Sequence, residues 1–265
     1  MRSENGVTFV VPSYGSDEIL RSNFLASPCL HTGCEHQILI QRNYSSAATA
    51  NNEAIDRAEN DLLIFTHQDM IFPEPWLVQL ELAVTHLKRT DPSWGVLGCS
   101  GVTPDGTGVG WVYAPNQGLL GKSFDHPQPI QTLDEIVLIF RKSSGLRFDD
   151  SLPHFHLYGT DICLRAAQRG MRSYVIPAFC VHNASYYPVL PKEFYETYKY
   201  IRRAWKHSLP IYTSCQAITK SEIPFYRRRL HEFIIRYIRR NASLQPRVRS
   251  LTKLLDEATR ASITS

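Results

Sequence analysis

A continuous apolar run in the first quarter of the chain limits the folds open to it. Residues 61–66, DLLIFT, lack the polar alternation of a strand with one wet face. Such a run is typical of a parallel strand that is covered on both faces. Residues 46–59, SAATANNEAIDRAE, precede it and carry alanine and isoleucine at helical spacing. A helix followed by a doubly buried strand predicts an α/β fold.

The same alternation continues through the first two hundred residues. Strands are predicted over residues 7–11, 37–41, 61–66, 134–140 and 172–177, and helices over residues 46–59, 73–88 and 159–170. The pattern predicts a mostly parallel, Rossmann-like central sheet flanked by helices. With 265 residues, of which 43% are hydrophobic, the chain can form one large domain, alone or with an appendage.

The C-terminal part of the chain is basic. From Lys199 to Lys253 the sequence has fourteen lysines and arginines but two acidic residues, whereas the whole chain has a net charge of +4. Residues 223–240 predict an amphipathic helix, with Pro246 starting another. The apolar positions of the first helix are Tyr226, Leu230, Phe233, Ile234 and Tyr237. We predict a catalytic domain over residues 1–205 and a basic helical extension over residues 206–265.

Three roles remain open for this basic extension. It can pack on the catalytic domain with a solvated charged face, lie on an anionic membrane surface, or bind an acidic glycan or another protein. No nucleic-acid-binding motif accompanies the arginines, so we expect no nucleic acid partner.

Composition also favours a cytoplasmic protein. The sequence has no run of eighteen apolar residues and no signal-peptide pattern at its start. Its six cysteines lack paired spacing, so we interpret them as reduced thiols, with a disulfide or metal site at Cys29 and Cys34 as the alternative. We expect a cytoplasmic protein, with peripheral contact to the inner face of the membrane left open.

Polar residues follow three of the predicted strands. They are Pro12-Ser13-Tyr14, His67-Gln68-Asp69 and Val181-His182-Asn183. Ligands of α/β sheets bind beyond the carboxyl ends of the strands, so we expect these segments to converge. A carboxylate beside an imidazole can bind a divalent cation, which suits a diphosphate. The alternative is that Asp69 only caps the next helix. Phosphate-binding glycine loops are missing from the sequence.

Three segments carry a resemblance to a known family. They are VVPSY at 10–14, SAATANNEAIDRAENDLLIFTHQDMIFPEPWL at 46–77 and HLYGTDICLRAAQRGMRSYVIPAFCVHN at 156–183. Together they resemble the inverting family 2 glycosyltransferases of the GT-A fold, in the bacterial branch with His-Gln-Asp in place of Asp-x-Asp. The resemblance spans about residues 5–205. After the second strand the family commonly has Asp residues, whereas this chain has Gln41-Arg42-Asn43-Tyr44.

The resemblance implies transfer of a sugar from a nucleotide-diphosphate sugar to an acceptor hydroxyl with inversion. It implies Asp161 as the catalytic base, and Asp69 with His182 as ligands of Mn²⁺ or Mg²⁺. Residues implied near the nucleotide sugar are Pro12, Ser13, Tyr14, Asn51, Asn52, His67, Gln68, Trp111 and Asp134. The implied acceptor is a glycan or a lipid-linked sugar, in the synthesis of a cell-surface polysaccharide or glycoconjugate.

Two other functions are compatible with the sequence. A catalytically silent relative could bind glycans or act as a scaffold, although the chain keeps both Asp69 and Asp161. A sugar nucleotidyltransferase would need a glycine-rich loop directly after the first strand, and Pro12-Ser13-Tyr14-Gly15-Ser16 does not supply it.

Overall fold

The structure is a computed structural model that describes residues 6–15, 17–32, 36–115, 117–184, 189–238 and 249–263. Cys34, Pro246 and the side chain of Tyr237 lie outside the described residues. The strands are β1 Thr8–Pro12, β2 Gln37–Gln41, β3 Leu62–Thr66, β4 Met70–Ile71, β5 Leu97–Gly98, β6 Ser100–Val102, β7 Gly108–Ala114, β8 Gly118–Gly121, β9 Gln128–Ile130, β10 Thr132–Leu133, β11 Val137–Arg141, β12 Ser173–Val175 and β13 Cys180–His182. The α-helices are α1 Asp17–Ser22, α2 Ala47–Arg57, α3 Trp76–Thr90, α4 Tyr158–Gln168, α5 Lys192–Ala204, α6 Ile223–Ile238 and α7 Leu251–Ile263.

The central sheet has seven strands in the order β2-β1-β3-β11-β5-β12-β9. Strand β1 pairs in parallel with β2 and β3, and β5 pairs in parallel with β12. Strand β11 runs antiparallel to β3 and β5, and β9 antiparallel to β12, so the other five strands share one direction. The prediction of a mostly parallel central sheet in an α/β fold is confirmed.

The apolar run at residues 61–66 contains strand β3, which lies in the interior of the central sheet. Leu63, Ile64 and Phe65 of β3 are at most 1% exposed, and β1 and β11 flank this strand. Helix α2 begins where the Ser46 hydroxyl accepts a hydrogen bond from the Thr49 N–H at 3.2 Å.

A second sheet of six strands stands beside the first. Its order is β10-β6-β7-β13-β4, with β8 paired to β7. Helix α7 covers this sheet, where Leu254 and Ala258 pack with Tyr113, Phe179 and Val181. The sheet matters for function because its strands β4 and β13 lie against the carboxyl end of β3.

Helices α5 and α6 pack on each other at the other end of the chain. Phe225 of α6 lies between Tyr195 and Tyr198 of α5, with ring centroids 5.4 and 5.0 Å away. Among the described residues, no helix combines the length and the apolarity that crossing a membrane requires. The boundary between residues 205 and 206 stays a prediction.

Candidate active site

The end of β3 positions the motif that follows it. The backbone N–H of His67 donates to the carbonyl of Ile136 at 3.3 Å, which ties the turn to the neighbouring strand β11. After the turn, β4 pairs antiparallel with β13, and His182 lies opposite Met70. The N–H of Asn183 also donates to the carbonyl of Asp69 at 2.9 Å. This pairing brings residues more than a hundred positions apart to one point.

Two imidazoles and one carboxylate meet at that point. One potential ligand atom from each of His67, Asp69 and His182 lies within 4.8 Å of the others. The His182 Nε2 is 3.5 Å from an Asp69 oxygen, and the two imidazole rings have centroids 5.8 Å apart. The sequence placed Asp69 and His182 at a cation and His67 beside the donor, and the structure brings all three together.

The charges of this cluster are coupled. Burial opposes ionisation of Asp69, yet the imidazole of His182 outweighs it and lowers the pKa of the carboxyl to about 2. Burial also opposes protonation of His182, but the Asp69 carboxylate raises the pKa of this imidazole. Burial lowers the pKa of His67. Asp69 and His67 are thereby held in the ligand forms that a cation needs, whereas the raised pKa of His182 means that a cation bound there competes with a proton.

The donor set fits a divalent cation. Imidazole nitrogens together with one carboxylate suit Mn²⁺ and related ions, and the three side chains come from two different strand ends that face each other. The cluster is only partly exposed: 19% of the His182 side chain and 26% of the Asp69 side chain reach solvent. An ion held here would keep open positions for ligand oxygens.

A network of hydrogen bonds joins the end of β1 to this turn. The Ser13 hydroxyl donates to the side-chain oxygen of Gln68 at 2.8 Å, and the Gln68 amide donates to the carbonyl of Tyr14 at 2.9 Å. Tyr14 itself is 92% exposed. Arg42 lies beside them, 3.5 Å from the Ser13 hydroxyl, and pairs with Asp17 at 2.6 Å. The sequence suggested no role for Arg42, which brings a positive charge to this region.

Asp134 and Glu135 approach the cluster from the connection between β10 and β11. The carboxylate of Asp134 acts to raise the pKa of both His67 and His182, although burial and Asp69 have larger effects. Asp134 therefore lies near the cluster. Asp134 is held by the Ser214 hydroxyl, which donates at 2.6 Å, and by the N–H of Ile136 at 3.2 Å. Burial and then Asp134 raise the pKa of the half-buried Glu135 to about 8.

One histidine of this region did not emerge from the sequence. Burial, followed by the charge of His67, lowers the pKa of His156 to about 4, so the two imidazoles are neighbours. The His156 ring packs against Phe194 with centroids 5.8 Å apart. The only signal in the sequence was its place two residues before Tyr158, at the start of α4.

Asp161 is held away from solvent. Its carboxylate is 1% exposed, and one oxygen accepts from the Trp205 indole N–H at 2.7 Å while the other accepts from Arg165 Nε at 2.6 Å. Arg165 also forms an ion pair with Asp149. Burial raises the pKa of Asp161, even though Arg165 and Trp205 act in the opposite direction. Because both oxygens already accept hydrogen bonds in a buried setting, we expect a structural role, and the role as base stays a prediction.

Three other predicted residues have structural surroundings. The Asn52 amide donates to the Phe148 carbonyl at 3.0 Å and to Asp150 at 2.8 Å, while its oxygen accepts from the Phe148 N–H at 3.0 Å. Asn51 is fully buried, and neither side-chain polar atom has a hydrogen-bond partner among the described residues. Trp111 packs on Phe179 at 5.2 Å in the cluster beneath α7. The predicted roles of Asn51, Asn52 and Trp111 at the nucleotide sugar stay predictions.

A large cavity lies elsewhere. It has a volume of about 1090 Å³ and opens beside α3 at the opposite end of the strands, where Val7, Leu62 and Arg141 line it. None of the predicted site residues lines this cavity. The chemistry-bearing residues gather instead at the carboxyl end of β3, as expected for an α/β sheet.

Comparison with known proteins adds a family and several distant likenesses. Residues 23–203 match the sequence profile of a family described as glycosyltransferase like. A curated protein of Fuscovulum blasticum, "ATP synthase subunits region ORF 6", is 26% identical over 142 residues, which are 50% of this chain and 55% of that protein. The chain therefore spans about half the length of that relative.

Two solved structures illustrate the structural likenesses. The S. aureus TarS fragment 1–349 superposes with a TM-score of 0.48 and 14% identity, covering 97% of this chain and 81% of its own. Mannosyltransferase PcManGT from Pyrobaculum calidifontis, in complex with GDP-Man and Mn²⁺, gives a TM-score of 0.44 and 14% identity, covering 99% of this chain and 74% of its own. At these scores their ligands and substrates are facts about those proteins alone.

Proposed function

Because the chain belongs to the glycosyltransferase-like family, we propose that it transfers a sugar from a nucleotide-diphosphate sugar to an acceptor hydroxyl, with inversion at the anomeric carbon. The observation that carries this proposal is the cluster of His67, Asp69 and His182 at the carboxyl end of β3. The family match runs from residue 23, just after α1, to residue 203 in α5, and the cluster supplies ligands of the kind that a diphosphate-bound cation requires.

In this proposal the three side chains hold Mn²⁺ or Mg²⁺. When bound, the cation would neutralise the charge that develops on the diphosphate as the sugar leaves. Ser13 and Tyr14 line the approach from β1, and Gln68 fixes that segment against the cluster. Arg42 offers a guanidinium on the same side, where a phosphate or the ribose-phosphate edge of the donor can be bound.

Two carboxylates compete for the role of proton acceptor. Asp161 is the residue that the resemblance assigns, and it can meet an acceptor hydroxyl only if Trp205 and Arg165 release its oxygens. Glu135 is half-buried and lies with Asp134 near Tyr158, whose pKa is raised by burial and then by both carboxylates and Asp69. A base works best when its pKa is near the working pH, which the value of about 8 for Glu135 meets. We therefore propose Glu135 as an alternative base beside Asp161.

The acceptor in this proposal is a glycan or a lipid-linked sugar on the way to a cell-surface polysaccharide or glycoconjugate. We place the reaction in the cytoplasm, where nucleotide sugars would reach the donor site. Free thiols at Cys29, Cys99, Cys163 and Cys180, all buried, suit such a reducing compartment. No nucleic acid takes part in this scheme.

Donor hydrolysis tests the proposal directly. The purified protein is incubated with UDP-, GDP-, dTDP- and CMP-sugars, with and without Mn²⁺, and the release of free nucleotide is followed. We expect release from one donor, dependent on Mn²⁺ and lost in Asp69→Ala. Glu81→Ala on the exposed face of α3 is the matched control and should retain the wild-type rate.

Other results would point elsewhere. If no donor is hydrolysed and none raises the melting temperature, a catalytically silent glycan-binding or scaffold protein becomes the better description. Formation of a nucleotide sugar from a nucleoside triphosphate and a sugar phosphate would instead indicate a nucleotidyltransferase. Equal loss of activity in Asp69→Ala and Glu81→Ala would remove the cluster from the mechanism.

A further inference from the structure

The solvent-facing side of α6 carries a stripe of large apolar side chains. Five of them recur every three or four residues, and each is between 47 and 75% exposed. They are Ile223, Tyr226, Leu230, Phe233 and Ile234, which we call the α6 stripe. Residues at this spacing lie on one face of a helix, so the stripe is a continuous patch.

The opposite face of α6 buries a charge instead. Glu232 is 4% exposed and accepts a hydrogen bond from the Tyr195 hydroxyl at 2.6 Å. It also pairs with Arg228 at 3.0 Å. Among the α6 side chains that the structure describes, Phe225 is the one large apolar residue that is buried, where it packs against α5. A helix attached to a domain in water normally buries its apolar face, so the polarity of α6 is inverted.

We propose that the α6 stripe docks on an anionic lipid surface. Helices that lie on membranes insert their apolar side chains at the acyl boundary and contact anionic headgroups through flanking lysines and arginines. Arg227 is exposed and follows Ile223 by one turn, so it flanks the stripe, while the guanidinium of Arg229 lies over the Tyr195 ring of α5 at 4.7 Å. They belong to the segment with fourteen basic and two acidic residues.

Charge also selects lipid over a second copy of the chain. A dimer formed through the α6 stripe would bring two basic segments together, and like charges at an interface oppose association. An anionic lipid surface offers apolar depth and negative charge at once. Among the described residues, the apolar face of α6 stays exposed, whereas α7 of the same extension packs on the second sheet.

The docking helix is connected to the candidate active site. Arg228 Nη1 donates to the carbonyl of Cys215 at 2.6 Å, and the adjacent Ser214 hydroxyl donates to Asp134 at 2.6 Å. A membrane bound by α6 would therefore lie one short segment away from the cluster. This proximity suits a lipid-linked acceptor, a point that rests on the proposed function, whereas docking itself does not depend on sugar transfer.

Vesicle co-sedimentation, without donor or cation, tests the docking. The wild type is compared on vesicles of phosphatidylcholine and of equimolar phosphatidylcholine and phosphatidylglycerol. The test variant is Leu230→Ser with Phe233→Ser. The matched control is Val78→Ser with Leu82→Ser on α3, whose side chains are 52 and 66% exposed. We expect binding to anionic vesicles to be at least about tenfold stronger and to weaken with salt.

In the test variant we expect that binding to fall at least about tenfold, with the control unchanged. Both variants should keep the wild-type melting temperature, because the substituted side chains are exposed. Unchanged vesicle binding in the test variant would refute the proposal, and so would a drop in its melting temperature. A wild type that is dimeric by light scattering, becomes monomeric in the test variant and binds no vesicles would assign the α6 stripe to a second copy. Donor hydrolysis, measured separately, reports on the proposed function alone.

Discussion

Replacing Asp161 tests whether its carboxylate has a structural or a catalytic role. Both oxygens of this residue accept hydrogen bonds inside the protein, from Trp205 and from Arg165. In Asp161→Ala the buried indole N–H of Trp205 loses its partner, and an unsatisfied buried donor costs about 1–3 kcal/mol. Loss of packing adds to this, while Arg165 keeps its ion pair with Asp149. We expect unfolding to become easier by about 2–3 kcal/mol, which lowers the melting temperature by about 5–10 °C.

The isosteric change should behave differently. In Asp161→Asn the amide oxygen can still accept from Trp205, but the NH2 group then faces the Arg165 Nε–H, which is also a donor, and Arg165 keeps only Asp149. Because burial raises the pKa of Asp161, the folded protein gains little from the negative charge itself. We expect Asp161→Asn to lose less stability than Asp161→Ala, about 1–2 kcal/mol, and to keep its rate of donor hydrolysis and transfer.

Calorimetry and steady-state kinetics on the two variants decide between the roles. Rates are measured well below the melting temperature of the weaker variant, so that the folded fraction is constant. Asp56→Ala, which breaks the exposed pair with Arg147, is the control and should cost less than about 1 kcal/mol. A fall in kcat of about 100-fold or more in Asp161→Asn, with unchanged stability, would refute the structural assignment and make Asp161 the base.

Three further predictions follow from the same contacts. Mn²⁺ affinity should fall from about pH 8 to about pH 6, because the raised pKa of His182 lets a proton compete; calorimetry in two buffers should show proton release, and a flat profile would contradict this. Glu135 has a pKa of about 8 when folded, against 4.5 as its ordinary value, so its contribution to stability is complete below pH 4.5 and is lost as the pH rises through 8. As the pH rises from 5 to 9, the melting temperature of Glu135→Gln should therefore increase relative to that of the wild type. Parallel melting-temperature curves over this range would refute the prediction. Asn52→Ala should lose about 2–3 kcal/mol in denaturant unfolding, because it leaves both backbone groups of buried Phe148 without their partner; a loss below 1 kcal/mol would show that water replaces the amide.

The parts of the fold that depend on local pattern were predictable. The strand predicted over residues 61–66 is Leu62–Thr66, and the helix predicted over residues 46–59 is Ala47–Arg57. Both signals are strong, since a buried parallel strand is continuously apolar and an amphipathic helix repeats its apolar positions. The short strands of the second sheet carry no such signal, because two or three residues are too few to show a period.

The candidate site was predictable only in part. His67 and Asp69 follow a recognisable strand, so their place at its carboxyl end was accessible. The approach of His182 depends on β4 and β13, which are two and three residues long and pair across the chain. The position of His156 beside His67 depends on the course of the loop before α4. The contact of Asp161 with Trp205 could not be inferred, because Trp205 is 44 residues away in sequence.

Helix α6 shows what the spacing of apolar residues in a sequence cannot predict. The spacing of its apolar residues separates the two faces of the helix, but it does not say which face meets the protein. That choice is made by Tyr195, which bonds Glu232, and by Cys215, whose carbonyl accepts from Arg228. Each of these polar contacts would be lost if the helix were rotated to bury its apolar face. These polar contacts therefore keep the α6 stripe facing solvent. They also connect α6, through the segment that holds Asp134, to the site where we propose that sugar is transferred.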